Sequence, residues 1–174
     1  IPAWKDLAVY VSGSYPNFET QPVDREMNIQ DLLTHQSGLA YGFFADMPGS
    51  TTPVQRAYKE LDLGMTDVFP PTLEDLVNGL ATLPLEFSPG TAWNYSVSTD
   101  VCARLVEVIS GRDFDKFLTE VIFEPLGMTR TTYTPSESWK KNCAATENDP
   151  WREKIILGEV HDENTWAIGG VSGH

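Results

Sequence analysis

One stretch constrains the fold of this chain more than any other: Phe87-Ser88-Pro89-Gly90-Thr91-Ala92-Trp93-Asn94-Tyr95-Ser96-Val97-Ser98-Thr99-Asp100. Pro89-Gly90 is turn chemistry, because proline presets its own φ and glycine tolerates a positive one. Val101, Cys102, Leu105, Val106 and Ile109 then recur at helical spacing, which predicts an amphipathic helix ending near Ser110, with Gly111 as its stop. Ser96 or Ser98 is placed to cap that helix by accepting from its first N–H groups. Tyr95 therefore falls just before a helix N-terminus, where the positive end of the dipole favours a phenolate. A tyrosine held there can serve as a general base if a cation also lowers its pKa. The same spacing fits a tyrosine that packs a turn beneath the helix.

The remaining elements are mostly short helices. Leu7-Ala8-Val9-Tyr10-Val11 is a β-prone run in an otherwise irregular or extended start, and residues 20–26 read as a polar connector. Residues 28–35 predict a helix with Asn28 as cap and Asp31 three positions on, closed by Gln36-Ser37-Gly38. His35 is then expected to bond a carbonyl at the end of that helix, and Ser37 lacks a base that would make it a nucleophile. Residues 39–50 form a loop rich in aromatics. Tyr41 and Phe43 are candidates to line a binding groove, although such residues equally make a small satellite core.

Residues 53–63 predict a weaker helix stopped by Gly64, and Pro70-Pro71 breaks the chain. Thr72 caps a clearer helix with Leu73, Leu76, Val77, Leu80 and Leu83 on one face. Asp113 starts another, expected to bury Phe114, Phe117, Leu118, Val121 and Ile122. Thr131-Thr132-Tyr133 suggests a short strand, and residues 134–158 look irregular. The sum is a mainly helical unit with little sheet.

The formal charge of −13 disfavours nucleic acid, whose phosphates call for clustered lysine and arginine. It equally disfavours anionic membrane surfaces, and no apolar run reaches the length of a membrane span. Cys102 and Cys143 make no disulfide framework, and Cys102 has the setting of a small buried hydrophobe. His35, His161 and His174 are far apart and no zinc spacing occurs, so neither a metal nor a cofactor is expected. The start at Ile1 and the closing run Gly169-Gly170-Val171-Ser172-Gly173-His174 suggest a piece of a longer polypeptide.

Several stretches together resemble the serine β-lactamase-like family, which takes in class C β-lactamases, D-alanyl-D-alanine carboxypeptidases, and esterases and acyltransferases of the same fold. They are Met27-Asn28-Ile29-Gln30-Asp31-Leu32-Leu33-Thr34-His35-Gln36-Ser37-Gly38-Leu39, Phe87-Ser88-Pro89-Gly90 through Tyr95-Ser96, and Phe123-Glu124-Pro125-Leu126-Gly127-Met128. Gly158-Glu159-Val160-His161-Asp162-Glu163-Asn164 and the terminal Gly-Gly run complete the set. The resemblance implies acyl transfer through a serine ester. It implies that Tyr95 is the tyrosine of the family's Tyr-x-Asn element, shuttling protons, with Ser96 and Val97 beside it on the substrate-binding side.

The fold it implies is the helical lobe of the α/β β-lactamase/transpeptidase-like fold, with residues 1–174 as one helical domain. The family's Ser-x-x-Lys belongs upstream of Asp31-Leu32-Leu33-Thr34-His35, where this chain has none. Ser138-Trp139-Lys140-Lys141 matches it formally but follows Tyr95, and no Lys-Thr-Gly or His-x-Gly is present. Gly170-Val171-Ser172-Gly173-His174 fails the Gly-x-Ser-x-Gly pattern at its last position. This chain is therefore expected to lack acyl-transfer activity by itself and, with helical faces left uncovered, to self-associate.

Valine at 97 replaces an asparagine whose amide would hold a substrate amide. That departure favours a small-molecule ester, by hydrolysis or transacylation, over a β-lactam or peptide in the intact protein. A non-catalytic binding protein on the same scaffold is the alternative from another class, and a self-contained enzyme using Tyr95 with Ser138 is disfavoured by chain order. Asn94-Tyr95-Ser96 also fits a glycosylation sequon, which reads as accidental because a sugar there would block the tyrosine.

Overall fold

The computed structural model describes residues 1–42, 45, 51–61, 63, 72–150, 152–162 and 165–166. Phe43, the expected breaks at Gly64 and Pro70-Pro71, and the glycine-rich end lie outside the described residues. A short 3-10 turn, Pro2–Trp4, leads into β1 (Ala8–Ser14), which pairs antiparallel with β2 (Asn17–Pro22). The helices α1 (Ile29–Leu33), α2 (Pro53–Glu60), α3 (Leu73–Leu80), α4 (Ser98–Ser110) and α5 (Phe114–Leu118) follow. α5 continues as a π-helical turn, Thr119–Phe123. The order closes with α6 (Glu137–Lys140) and a hairpin of β3 (Ala145–Asp149) and β4 (Lys154–Leu157). No helix of the described residues is long and apolar enough to cross a membrane.

Local chemistry explains the helix starts. Asn28 Oδ1 accepts the Asp31 N–H at 3.1 Å while the Asp31 carboxylate takes the Asn28 N–H at 2.9 Å, a reciprocal capping box. Arg25 closes on both Asp31 oxygens at 2.6 and 2.7 Å, the bidentate geometry that suits a guanidinium and a carboxylate. These bonds, the guanidinium's first, hold the Asp31 carboxyl below the usual carboxylate range. Thr52 and Thr72 cap α2 and α3 through the N–H groups of Gln55 and Asp75, each at 3.1 Å.

The core lies where α1, α2, α3 and the head of α4 converge. Leu39, Val54, Tyr58, Val77, Leu80, Leu85, Val97 and Val101 are all buried in it. The expected face of α3 is buried at every position from Leu73 to Leu83. The N-terminal hairpin is joined to this core by a parallel bridge between Val9 and Leu85. The Tyr10 N–H donates to Leu85 O, and the Leu85 N–H to Ala8 O, both at 2.8 Å. Trp4 adds an indole bond to the Val77 carbonyl at 2.8 Å.

Five readings of the sequence change. Residues 20–22 belong to β2 and not to a connector. All three side chains are exposed, so the period-2 signal of a half-buried strand is missing and the pairing comes from β1. Residues 134–158 hold α6 and the β3–β4 hairpin, whose turn is pinned by Asp149 and Arg152, both buried and 3.0 Å apart. Thr131-Thr132-Tyr133 forms no strand.

Neither Ser96 nor Ser98 caps α4; Val97 occupies the cap position without a side-chain bond, because both hydroxyls are engaged elsewhere. The expected inward face is also incomplete: Ile109 is 76% exposed, and Val121 and Ile122 join it with Val108, Leu126 and Met128 in an exposed apolar set.

Candidate active site

Tyr95 sits three residues before the start of α4 and is 38% exposed, its ring neither sealed in the core nor alone. The His35 ring lies against it, centroids 4.8 Å apart and tilted by 35°, and the Tyr41 ring meets it edge-on at 5.9 Å. Trp93, 65% exposed, reaches His35 from the other side at 6.3 Å. Two segments thus bring four aromatic rings together at the head of a helix, with the Tyr95 phenol among them.

The backbone that presents Tyr95 is fastened on both sides. The Asn94 N–H donates to His35 O at 2.9 Å, and the Val97 N–H to Ala40 O at 3.2 Å. His35 makes this possible by leaving the helix early. It takes a left-handed φ of 54°, an uncommon conformation for a residue with a Cβ, and α1 stops at Leu33. Its ring is held from the Tyr95 segment, since the Ser96 N–H donates to His35 Nδ1 at 3.3 Å. Nδ1 is the acceptor in this contact. The histidine expected at the end of α1 also packs against the Tyr95 ring.

Beneath the rings runs a line of hydroxyls. Ser37 Oγ and Ser98 Oγ are 2.8 Å apart, as are Ser98 Oγ and Ser96 Oγ, and Ser96 Oγ lies 3.4 Å from His35 Nδ1. All three serines are buried, and Ser37 also accepts the Leu39 N–H at 3.2 Å. This line explains why Ser96 and Ser98 do not cap α4. Of the residues expected around the substrate, Tyr41 borders the phenol and its hydroxyl reaches Asp162 at the 3.5 Å limit of a hydrogen bond. Ser96 and Val97 are buried under the site, and Phe43 is outside the described residues.

The formal motif stays apart from this chemistry. On α6, Ser138 Oγ contacts Ser136 Oγ at 2.8 Å and Lys140 pairs with Glu137 at 2.7 Å. A cavity of about 430 Å³ has Trp4, Leu7, Met27, Leu32, Val101 and Leu105 in its wall, and none of the four rings. Among the described residues no group of histidine, cysteine and carboxylate side chains is arranged to hold a metal.

Sequence reasoning missed His35, Trp93 and a carboxyl beneath the turn, Glu86. The Asn94 amide donates to Glu86 Oε2 at 2.7 Å and to Leu39 O at 3.2 Å. The sequon's acceptor nitrogen is thus already occupied. The other Glu86 oxygen accepts from the Thr52 hydroxyl. Burial pushes the Glu86 carboxyl up from its ordinary value, against the lowering effect of the Thr52 bond. The positions of Trp93 and Asn94 immediately before Tyr95 were the available signal.

The chain belongs to the Beta-lactamase family, whose model matches residues 6–172. Among its relatives is an Escherichia coli O157:H7 protein provisionally named a D-alanyl-D-alanine carboxypeptidase. It is 34% identical over 185 residues, a match that takes in 97% of this chain and 39% of the relative. The lovastatin esterase of Penicillium rubens is 32% identical over 174 residues, covering 96% of this chain and 41% of the esterase. The chain thus spans about two fifths of the length of these curated relatives. A mutant of simvastatin synthase (LovD) from Aspergillus terreus shares the fold, with a TM-score of 0.60 at 23% identity over 99% of this chain and 38% of that one.

Proposed function

We propose that this chain is the helical lobe of a serine hydrolase and that the intact protein transfers acyl groups through a serine ester. The observation that carries the reading is the half-exposed Tyr95 phenol at the head of α4, walled by His35 and Tyr41. In the intact protein a serine hydroxyl supplied from outside this chain attacks the ester carbonyl carbon. The Tyr95 phenolate oxygen takes the hydroxyl proton and passes it to the departing alkoxide. Water or an acceptor alcohol then repeats the exchange in reverse and frees the serine.

Esters are favoured over β-lactams and peptides. Val97 offers no amide to a substrate amide, and it is buried beneath the site. The relative named a lovastatin esterase supports this branch, while the relative provisionally named a carboxypeptidase keeps the amide branch as the competing reading. The 174-residue chain, which has no Ser-x-x-Lys upstream of Tyr95, is inactive in this reading.

The test compares p-nitrophenyl esters with nitrocefin on the full-length protein. Tyr95→Phe is expected to lower ester turnover by about 10²-fold or more. A strong nitrocefin preference defeats the ester assignment. A burst of p-nitrophenyl acetate hydrolysis by the 174-residue chain, abolished by Ser138→Ala, defeats the division of labour.

A further inference from the structure

We propose that Glu86 is a positioning residue for Tyr95, acting through Asn94; the inference rests on the functional reading of Tyr95 as a proton shuttle. Asn94 is gripped at three points. Its backbone N–H is held by His35 O at 2.9 Å, and its amide nitrogen by Leu39 O at 3.2 Å and by Glu86 Oε2 at 2.7 Å. The phenol begins one peptide unit further on. Of these three contacts only that with Glu86 is to a side chain, and it is the shortest.

Glu86 is itself fixed from two other directions. Its second oxygen accepts from the Thr52 hydroxyl, the cap of α2, and its backbone N–H donates to Gly38 O at 2.8 Å. The carboxyl therefore ties the head of α2 to the turn that presents Tyr95, while the Glu86 backbone fastens both to the loop after α1. Tyr58 is the ionisable neighbour whose own pKa is affected by Glu86. A misplacement of about 1 Å at a reacting group can lower turnover about 10²-fold, so the grip on Asn94 bears directly on rate.

The chemistry of the pair permits a reciprocal test in the full-length protein. Asn94→Asp removes the N–H donor and sets a second carboxyl against Glu86, so the grip of the amide is lost. Glu86→Gln leaves an acceptor for Asn94. Combined with Asn94→Asp, it supplies the missing N–H in the opposite direction. The expected result for Asn94→Asp is a kcat lower by about 10²-fold with KM changed less than about threefold. Glu86→Gln alone should stay within about fivefold of wild type, and the double variant should regain at least about tenfold in kcat over Asn94→Asp.

Thermal melting is followed in parallel. If Asn94→Asp lowers Tm but keeps wild-type kcat below its transition, the inference is overturned and Glu86 is structural. It is equally overturned if the double variant recovers Tm without recovering kcat. Tyr95→Phe separates the two readings. A Tyr95→Phe protein with wild-type turnover, or a full-length protein without acyl transfer, removes the functional reading and this inference with it. An inactive Tyr95→Phe beside a fully active Asn94→Asp removes this inference alone.

Discussion

Replacing Tyr58 by phenylalanine probes the support under the site with a single atom. Tyr58 lies on α2 with 1% of its surface exposed, and its hydroxyl oxygen accepts the Ala40 N–H at 3.3 Å. Ala40 is fully buried, so that N–H loses its protein acceptor when the oxygen is removed. An unsatisfied buried donor costs about 1–3 kcal/mol. The bond is longer than the usual N–H···O range, which places the expected loss in the lower half, about 1–2 kcal/mol.

One oxygen leaves too little space for a cavity to dominate. In urea unfolding of the 174-residue chain, with a slope of about 2 kcal/mol per molar, the midpoint should fall by about 0.5–1 M with the slope unchanged. Burial raises the Tyr58 pKa far above the neutral range, so the phenol stays protonated and the loss should not vary from roughly pH 6 to roughly pH 9. A midpoint within about 0.1 M of wild type would refute the reasoning, because Ala40 N–H would then be satisfied without Tyr58. Since Ala40 O receives the Val97 N–H, the same strand of bonds reaches the head of α4.

Two carboxyls should shape the pH profile with opposite signs. Asp31 titrates below its unfolded value of about 4, so its contribution is complete above that pH and is lost as pH falls through the folded value. Glu86 titrates above its unfolded value of about 4, so its contribution is complete below that pH and is lost as pH rises through the folded value. Urea midpoints across pH should therefore lose their acid slope in Asp31→Asn and the slope just above pH about 4 in Glu86→Gln; unchanged slopes would contradict the two environments. Gly38 and Gly111 both have positive φ, but a Cβ at Gly38 would lie 2.2 Å from Phe87 O while one at Gly111 meets open space. Gly111→Ala should cost about 1–2 kcal/mol by thermal melting, and Gly38→Ala clearly more; equal costs would show that the Gly38 loop yields freely.

What the sequence made legible follows from how local each signal is. The Asn28–Asp31 box, the Thr72 cap and the buried face of α3 rest on residues within one or two turns of each other, and the structure has them as read. The left-handed stop at Gly111 is local in the same way. β2 and the β3–β4 hairpin were opaque because their polar residues carry no period and their pairing partners supply the order. The cap reading of Ser96 and Ser98 failed for a tertiary reason: Ser37, remote in sequence, takes up the hydroxyl line. The place of Tyr95 just before α4 was legible from its turn and its helix. The places of His35 and Glu86 were not, because only the folding of two loops against that turn brings them to it.

The bridge between Val9 and Leu85 has a consequence for how the molecule is assembled. Residues from opposite ends of the first half of the chain must meet before the segment entering the Pro89-Gly90 turn has its neighbour. Such distant pairings are entropically expensive to close and slow to form. Docking the N-terminal hairpin on Leu85 is therefore a long-range step in ordering the segment that leads into the turn carrying Tyr95.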